Sequence, residues 1–179
     1  MANARKILIV GGGIAGLTLA VALRRRGLGV ELVEIQPRWN VLGVGISLTG
    51  PTLRALKSID LIDPCVAVSF GFERIVFADA AGREFAALPL QKLCGPDYPA
   101  TVAIGRPALH DVLIRATERL GAYVRLGLTI ERLDQAADAV AVTFSDGRRD
   151  RFDAVIGCDG LHSRVRDLVF GELAEQNFT

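Results

Sequence analysis

Gly11-x-Gly13-x-x-Gly16 stands directly after the β-branched run Lys6–Val10 (KILIV) and opens an Ala- and Leu-rich segment, Ile14 to Arg26. No other feature limits the fold so tightly. A short apolar run without Gly or Pro reads as a buried strand. The segment after it has the composition of a helix. It ends in three arginines and stops at Gly27, which suits the helix dipole and the usual C-terminal turn. Gly29–Glu34 (GVELVE) repeats the strand pattern. Strand, helix and strand within about 30 residues predict two parallel neighbours joined by a right-handed crossover.

In that setting each glycine has a physical role. Gly11 permits the tight turn, Gly13 lets a pyrophosphate approach the backbone, and Gly16 lets helix and strand pack closely. The helix N-terminus then offers free N–H groups to phosphates. Glu34 ends the second strand, 18 residues after Gly16, where a carboxylate accepts hydrogen bonds from a ribose. A carboxylate there repels a 2′-phosphate, so NAD or FAD fits better than NADP; the choice between NAD and FAD stays open at this point. Arg38 is either a partner for a phosphate or a solvated loop arginine.

Composition narrows the class. The chain has 179 residues, half of them hydrophobic and 23% charged, which excludes intrinsic disorder and fits one domain. A net charge of +1 offers no basic field for nucleic acid and no polybasic membrane patch. Arg5-Lys6 ahead of the uncharged Ile7–Leu23 imitates a leader peptide, but the four glycines and the strand that follows favour a folded unit. Cys65, Cys94 and Cys158 lie far apart without CxxC spacing, and His110 and His162 are the only histidines. Neither a disulfide framework nor a metal site is expected, and a cytoplasmic, reducing compartment is.

Farther along, Gln36–Thr49 reads as a loop and Pro51–Ser58 as a short helix. Phe72–Ala80 and Arg83–Leu88 read as a hairpin, Thr101–Gly105 as a strand, and Pro107–Leu120 as an amphipathic helix. Tyr123–Leu126 is a further strand. Leu128–Leu133 and Ala139–Phe144 alternate, and Asp146-Gly147 makes a turn. Ala154–Gly157 is a last buried strand, followed by Cys158-Asp159-Gly160 and a helix starting at Ser163. The fold class expected is α/β: a Rossmann-like βαβ unit on a parallel sheet, with an inserted β-hairpin and antiparallel strands. Arg106, just ahead of its helix, is placed to grip an anion. Asp159 can accept hydrogen bonds from hydroxyls or amides, and His162 reads as a helix-start residue beside an N-cap Ser163.

These pieces together resemble the N-terminal part of the class A flavoprotein aromatic hydroxylases, of the para-hydroxybenzoate hydroxylase type. The matching segments are VGGGIAG (10–16), Glu34 with Arg38, GVGISL (43–48), GRPALHDVL (105–113) and GCDGLHSRVR (157–166), the last similar to the family's DG motif. The resemblance spans almost the whole chain. It implies that Gly11, Gly13, Ile14, Ala15, Gly16, Glu34, Ile35, Arg38 and Arg106 hold FAD. Gly45 and Ile46 would lie near the isoalloxazine. Asp159, with Gly160, would serve both FAD and the co-substrate NAD(P)H. It also implies hydroxylation of an aromatic or similar small substrate through a C4a-hydroperoxyflavin, with no protein nucleophile and no catalytic side chain assigned.

The departures are informative. Family members are about twice as long. Their second flavin motif, a Gly-Asp pair before an Ala-rich stretch, has no counterpart here, and Gly50-Pro51-Thr52 replaces a segment that commonly carries asparagine. The chain is therefore expected to be an FAD-binding fragment (1–179) whose partner is the missing C-terminal half. A reductase, dehydrogenase or halogenase built on the same FAD domain is the second expectation, and a non-catalytic dinucleotide-binding module the third.

Overall fold

The computed structural model describes residues 5–171, and backbone contacts divide the chain into two units. The first comprises 1–40 and 113–179, the second 41–112.

The first unit is built on the parallel sheet the glycine motif predicts. Strand β1 (Lys6–Val10) lies between β2 (Gly29–Glu34) and β12 (Ala154–Gly157), and β8 (Tyr123–Leu126) pairs with the far side of β2. All three pairings are parallel. Helix α1 (Ile14–Arg25) buries Gly16, Leu17, Ala20 and Val21 and packs over β1 and β2. It ends where expected: Gly27 holds a φ of +77°, a conformation that costs a glycine nothing.

A second, antiparallel sheet of the same unit runs β11-β10-β9, from β9 (Ile130–Gln135), β10 (Val140–Phe144) and β11 (Arg149–Phe152). The core forms where its apolar side chains meet those of the parallel sheet: Leu8, Val10 and Val33 with Ile130, Val142, Phe144 and Phe152. Phe144 and Phe152 meet edge to face at 6.3 Å, the geometry ring quadrupoles favour. Helix α5 (Arg164–Phe170) adds Val165 and Leu168 to this cluster. A buried ion pair, Glu31 with Arg125, ties β2 to β8, and the Arg125 guanidinium lies 4.2 Å from the Phe144 ring centre.

The second unit holds a three-stranded antiparallel sheet, β3-β7-β4, from β3 (Gly45–Leu48), β4 (Phe70–Phe72) and β7 (Thr101–Gly105). It also holds a separate hairpin of β5 (Arg74–Ala78) and β6 (Glu84–Pro89), and helices α2 (Gly50–Ser58) and α3 (Ile62–Val66). Helix α4 (Arg106–Arg119) carries the chain across the boundary at residues 112 and 113. The amphipathic pattern puts Leu109, Val112, Leu113, Ala116 and Leu120 on one face; the first four are buried, together with His110, Ile114 and Thr117, while Leu120 lies past the helix end and is half-buried.

Several expectations need correction. The loop 36–49 contains β3, and α3, β4 and β11 are additional elements. The first hairpin strand starts at Arg74, because Phe72 belongs to β4. The strand expected at Leu128–Leu133 runs over Ile130–Gln135 instead. Arg106 is the first residue of α4 rather than a residue ahead of it. The strands that were missed are short, and β3 and β4 form only by pairing with β7, far away in sequence. Residues 172–179 lie outside the described part. Among the described residues no helix is long and apolar enough to cross a membrane.

Candidate functional site

The sharp turn after β1 is held by backbone bonds on both sides. Gly11 N–H donates to the Val33 carbonyl at 2.8 Å, and Cys158 N–H donates to the Val10 carbonyl at 2.7 Å. The glycines fit this frame for different reasons. A Cβ on Gly11 would stand 2.4 Å from the Cys158 carbonyl oxygen, and one on Gly16 would stand 1.9 Å from the Gly11 carbonyl oxygen. Both positions are closed to any side chain. A Cβ on Gly13 would meet nothing within 4 Å.

Gly13 instead faces a cavity of about 300 Å³. Its walls come from the β1 end (Val10, Gly11, Gly13), the β2 end (Val33, Glu34, Ile35), Thr129, and the turn after β12 (Cys158, Asp159, Gly160, His162, Arg164). This is the carboxyl end of a parallel sheet, where open α/β folds bind their ligands. The structure thus brings together Gly11, Gly13, Glu34, Ile35, Asp159 and Gly160 from the sites read in the sequence. Ile14 and Ala15 open α1, and no side chain caps that helix. Its first N–H groups, which have no intrahelical partners, stay available to a phosphate. Gly16 is buried under the turn, while Arg38 is exposed in the segment after β2 and is not among the cavity-lining residues.

Gly45, Ile46 and Arg106 belong to the second unit. There Gly45 pairs with Gly105 and Ile46 with Ile104. The Arg106 side chain lies against Gly43, whose own Cβ would come within 2.9 Å of it, and the Arg106 N–H donates to the Val44 carbonyl.

Both carboxylates at the cavity are anchored by the backbone. Glu34 Oε2 accepts from the Gly12 N–H at 2.7 Å and Oε1 from the Gln36 N–H at 2.9 Å. Each oxygen keeps a further lone pair for a ligand. Asp159 Oδ1 accepts from the Ser163 hydroxyl at 2.6 Å and Oδ2 from the Val165 N–H at 3.0 Å. Ser163 Oγ in turn accepts from the Arg166 N–H at 3.1 Å. Ser163 is the N-cap of α5, and Asp159 extends that cap across the turn. Burial first, and the Asp159 charge second, push the Cys158 thiol above the ordinary cysteine range, so it is uncharged at neutral pH.

Sequence reasoning did not assign Thr129 or Arg164 to the cavity, and it took His162 for a helix-start residue only. Thr129 follows β8 in a segment with no motif, and nothing in the local pattern could have found it.

The residues fit a nucleotide cofactor. The space left by the missing Gly13 side chain, the uncapped start of α1 and the spare lone pairs of Glu34 offer room, N–H donors and acceptors on neighbouring walls. Comparison with known proteins agrees. The family described as "FAD binding domain" matches residues 4–177. The chain is 38% identical over 164 residues to 3-amino-4-hydroxybenzoate 2-monooxygenase of Streptomyces cremeus, covering 90% of this chain and 41% of that protein. Among solved structures it resembles the flavin-dependent monooxygenase PieE in complex with FAD and substrate, with a TM-score of 0.74 and 27% identity over 93% of this chain and 32% of PieE. It also resembles 2-methyl-3-hydroxypyridine-5-carboxylic acid oxygenase, with a TM-score of 0.79 and 25% identity over 94% of this chain and 43% of that one. The chain spans less than half the length of each of these proteins. With the motif, the cavity and a family match over nearly its full length in agreement, the chain belongs to the FAD-binding-domain family.

Proposed function

We propose that this chain is the cofactor-holding portion of an NAD(P)H-dependent flavoprotein monooxygenase that hydroxylates an aromatic or similar small organic substrate. One observation carries the reading: the glycine turn, the Glu34 carboxylate and the Asp159-Gly160 turn face a single cavity at the carboxyl end of the sheet. The names of the relatives support the reaction class, and the hydroxylated aromatic acid in one of them supports the substrate class. The share of the relatives that the chain spans supports its being one portion of a longer enzyme.

FAD held by these residues would supply the redox chemistry, with NAD(P)H as reductant and oxygen as oxidant. The chain's own residues bind and orient. Gly13 and the start of α1 present backbone N–H groups to the diphosphate without a side chain in the way. Glu34 uses its spare lone pairs on ribose hydroxyls. Asp159 keeps the turn at residues 158–160 in place by capping α5. The assignment of Gly45, Ile46 and Arg106 to the flavin end rests on the family resemblance.

Oxygen chemistry on a flavin exposed to water loses its oxidant as hydrogen peroxide, because exclusion of water is what prevents that side reaction. The test supplies the 179-residue chain with FAD, NAD(P)H, oxygen and a panel of hydroxylated aromatic acids, with products followed by mass. We expect a flavin absorbance shift on binding, slow NAD(P)H oxidation with peroxide release, and no hydroxylated product. Stoichiometric hydroxylation by this chain alone would show that its own residues complete the substrate site. Absence of any FAD binding would overturn the whole reading.

A further inference from the structure

Trp39 has no place in the glycine motif, yet it touches the motif directly. A Cβ on Gly12 would stand 2.6 Å from Trp39 Cζ3 and 3.1 Å from both Trp39 Cη2 and Glu34 Cβ. This accounts for Gly12, the one member of the run Gly11-Gly12-Gly13 that the motif itself does not explain. The indole fills the space a side chain would need. The same Gly12 donates its N–H to Glu34 Oε2. The indole and the Glu34 stem therefore both border the space over Gly12, whose N–H holds the carboxylate, and Glu34 lines the cavity.

We propose that Trp39 is a positioning residue that sets how the cavity reads the ribose of an adenine nucleotide. A glutamate side chain has several rotamers of similar energy, and restricting it costs conformational entropy. Here the carboxylate is held by the Gly12 and Gln36 N–H groups, and the indole, packed on Gly12, keeps the first of these donors in place before the ligand arrives. The spare lone pairs of the carboxylate then meet ribose hydroxyls from a fixed direction, and a 2′-phosphate meets a fixed negative charge. Without the ring, the carboxylate swings away from a phosphate that would repel it, and discrimination falls. The inference rests on the reading of the cavity as an adenine-dinucleotide site.

The experiment measures binding of FAD, ADP and 2′-phospho-ADP by the 179-residue chain and by Trp39→Ala, Trp39→Phe and Trp39→Leu. Trp39→Leu serves as the apolar, non-planar replacement should Trp39→Ala not fold. For the unsubstituted chain we expect FAD to bind and ADP to be preferred over its 2′-phosphorylated form. Trp39→Ala should weaken FAD and ADP by about tenfold, the scale of one hydrogen bond to a charged group. The preference for ADP should shrink with it, and Trp39→Phe should retain most of both. A purely structural tryptophan would lower both affinities by the same factor. An unchanged preference in Trp39→Ala or Trp39→Leu therefore overturns the proposal while leaving the dinucleotide reading intact. Failure of the unsubstituted chain to bind either nucleotide overturns that reading, and the proposal with it.

Discussion

Gly11 and Cys158 meet backbone to backbone: a Cβ on Gly11 would lie 2.4 Å from the Cys158 carbonyl oxygen, and Gly11 itself holds a φ of +106°. The first and last strands of the parallel sheet thus close on each other through a residue that has to be glycine. Gly13, two positions on, has an ordinary φ of −73° and open space where a side chain would go. Both line the cavity, but only Gly11 is also required to be glycine by the fold.

Substitution separates the two roles. Gly11→Ala combines a strained backbone with a clash against main chain that cannot yield, and should destabilise the protein by about 2–4 kcal/mol. Gly13→Val should leave the apo protein within about 1 kcal/mol of the original stability and abolish flavin binding. Urea unfolding of the apo proteins and flavin absorbance after addition of FAD measure both. A Gly13→Val protein that keeps its full complement of FAD would remove Gly13 from the site.

Glu34 accepts two backbone N–H groups as well as facing the cavity. Glu34→Gln keeps the shape but turns one acceptor into a donor that faces an N–H. FAD affinity should fall by about ten- to hundredfold, the equivalent of roughly 1.5–3 kcal/mol for a hydrogen bond to a charged group. Part of that loss should also appear as lower apo stability, because the turn at Gly12 loses its acceptor. Titration calorimetry with FAD, paired with thermal unfolding, reads the two effects; an unchanged affinity would confine Glu34 to the turn.

Asp159 and Ser163 form one cap at the start of α5. Ser163→Ala should cost about 1 kcal/mol, the usual value of an N-cap. Asp159→Ala should cost more, because the Val165 N–H and the Ser163 hydroxyl both lose their acceptor. The double variant should cost less than the sum of the two, since the groups act together. Denaturant midpoints of the three variants check this; strict additivity would show that the two caps are independent.

Burial raises the Cys65 thiol from 9.0 to about 11. Below pH 9.0 the folded and unfolded chains both keep the proton. Between 9.0 and about 11 the unfolded chain sheds it while the folded chain holds it. The unfolded state then binds fewer protons, so stability falls as pH rises through that window. Two pKa units correspond to at most about 2.7 kcal/mol. Cys65→Ala should flatten the alkaline limb of a stability–pH profile, and an identical slope in the variant would assign that limb to other groups.

The β1–α1–β2 unit was legible from residues 6–34 alone, with both strand bounds as read and the helix one residue shorter. Its signals are local: a β-branched run, glycines at fixed spacing, cations and Gly27 at the helix end. The hairpin at 74–89 and the strand Ala154–Gly157 were legible for the same reason. Strand β3 was hidden because Gly43 and Gly45 mark its start as loop, and its hydrogen bonds go to Thr101–Gly105, more than fifty residues away. Strand β11 was hidden because three of its four residues are charged and its pairing with β10 is what makes it a strand. The same division holds at the site. The glycines, Glu34 and Asp159 declare themselves by spacing, whereas Thr129 joins the cavity only where distant segments meet. Local spacing reports what a segment does to its own backbone. Which side chains share a cavity depends on strand order, and that is settled when the buried faces of β1, β2, β9 and β10 close over one core.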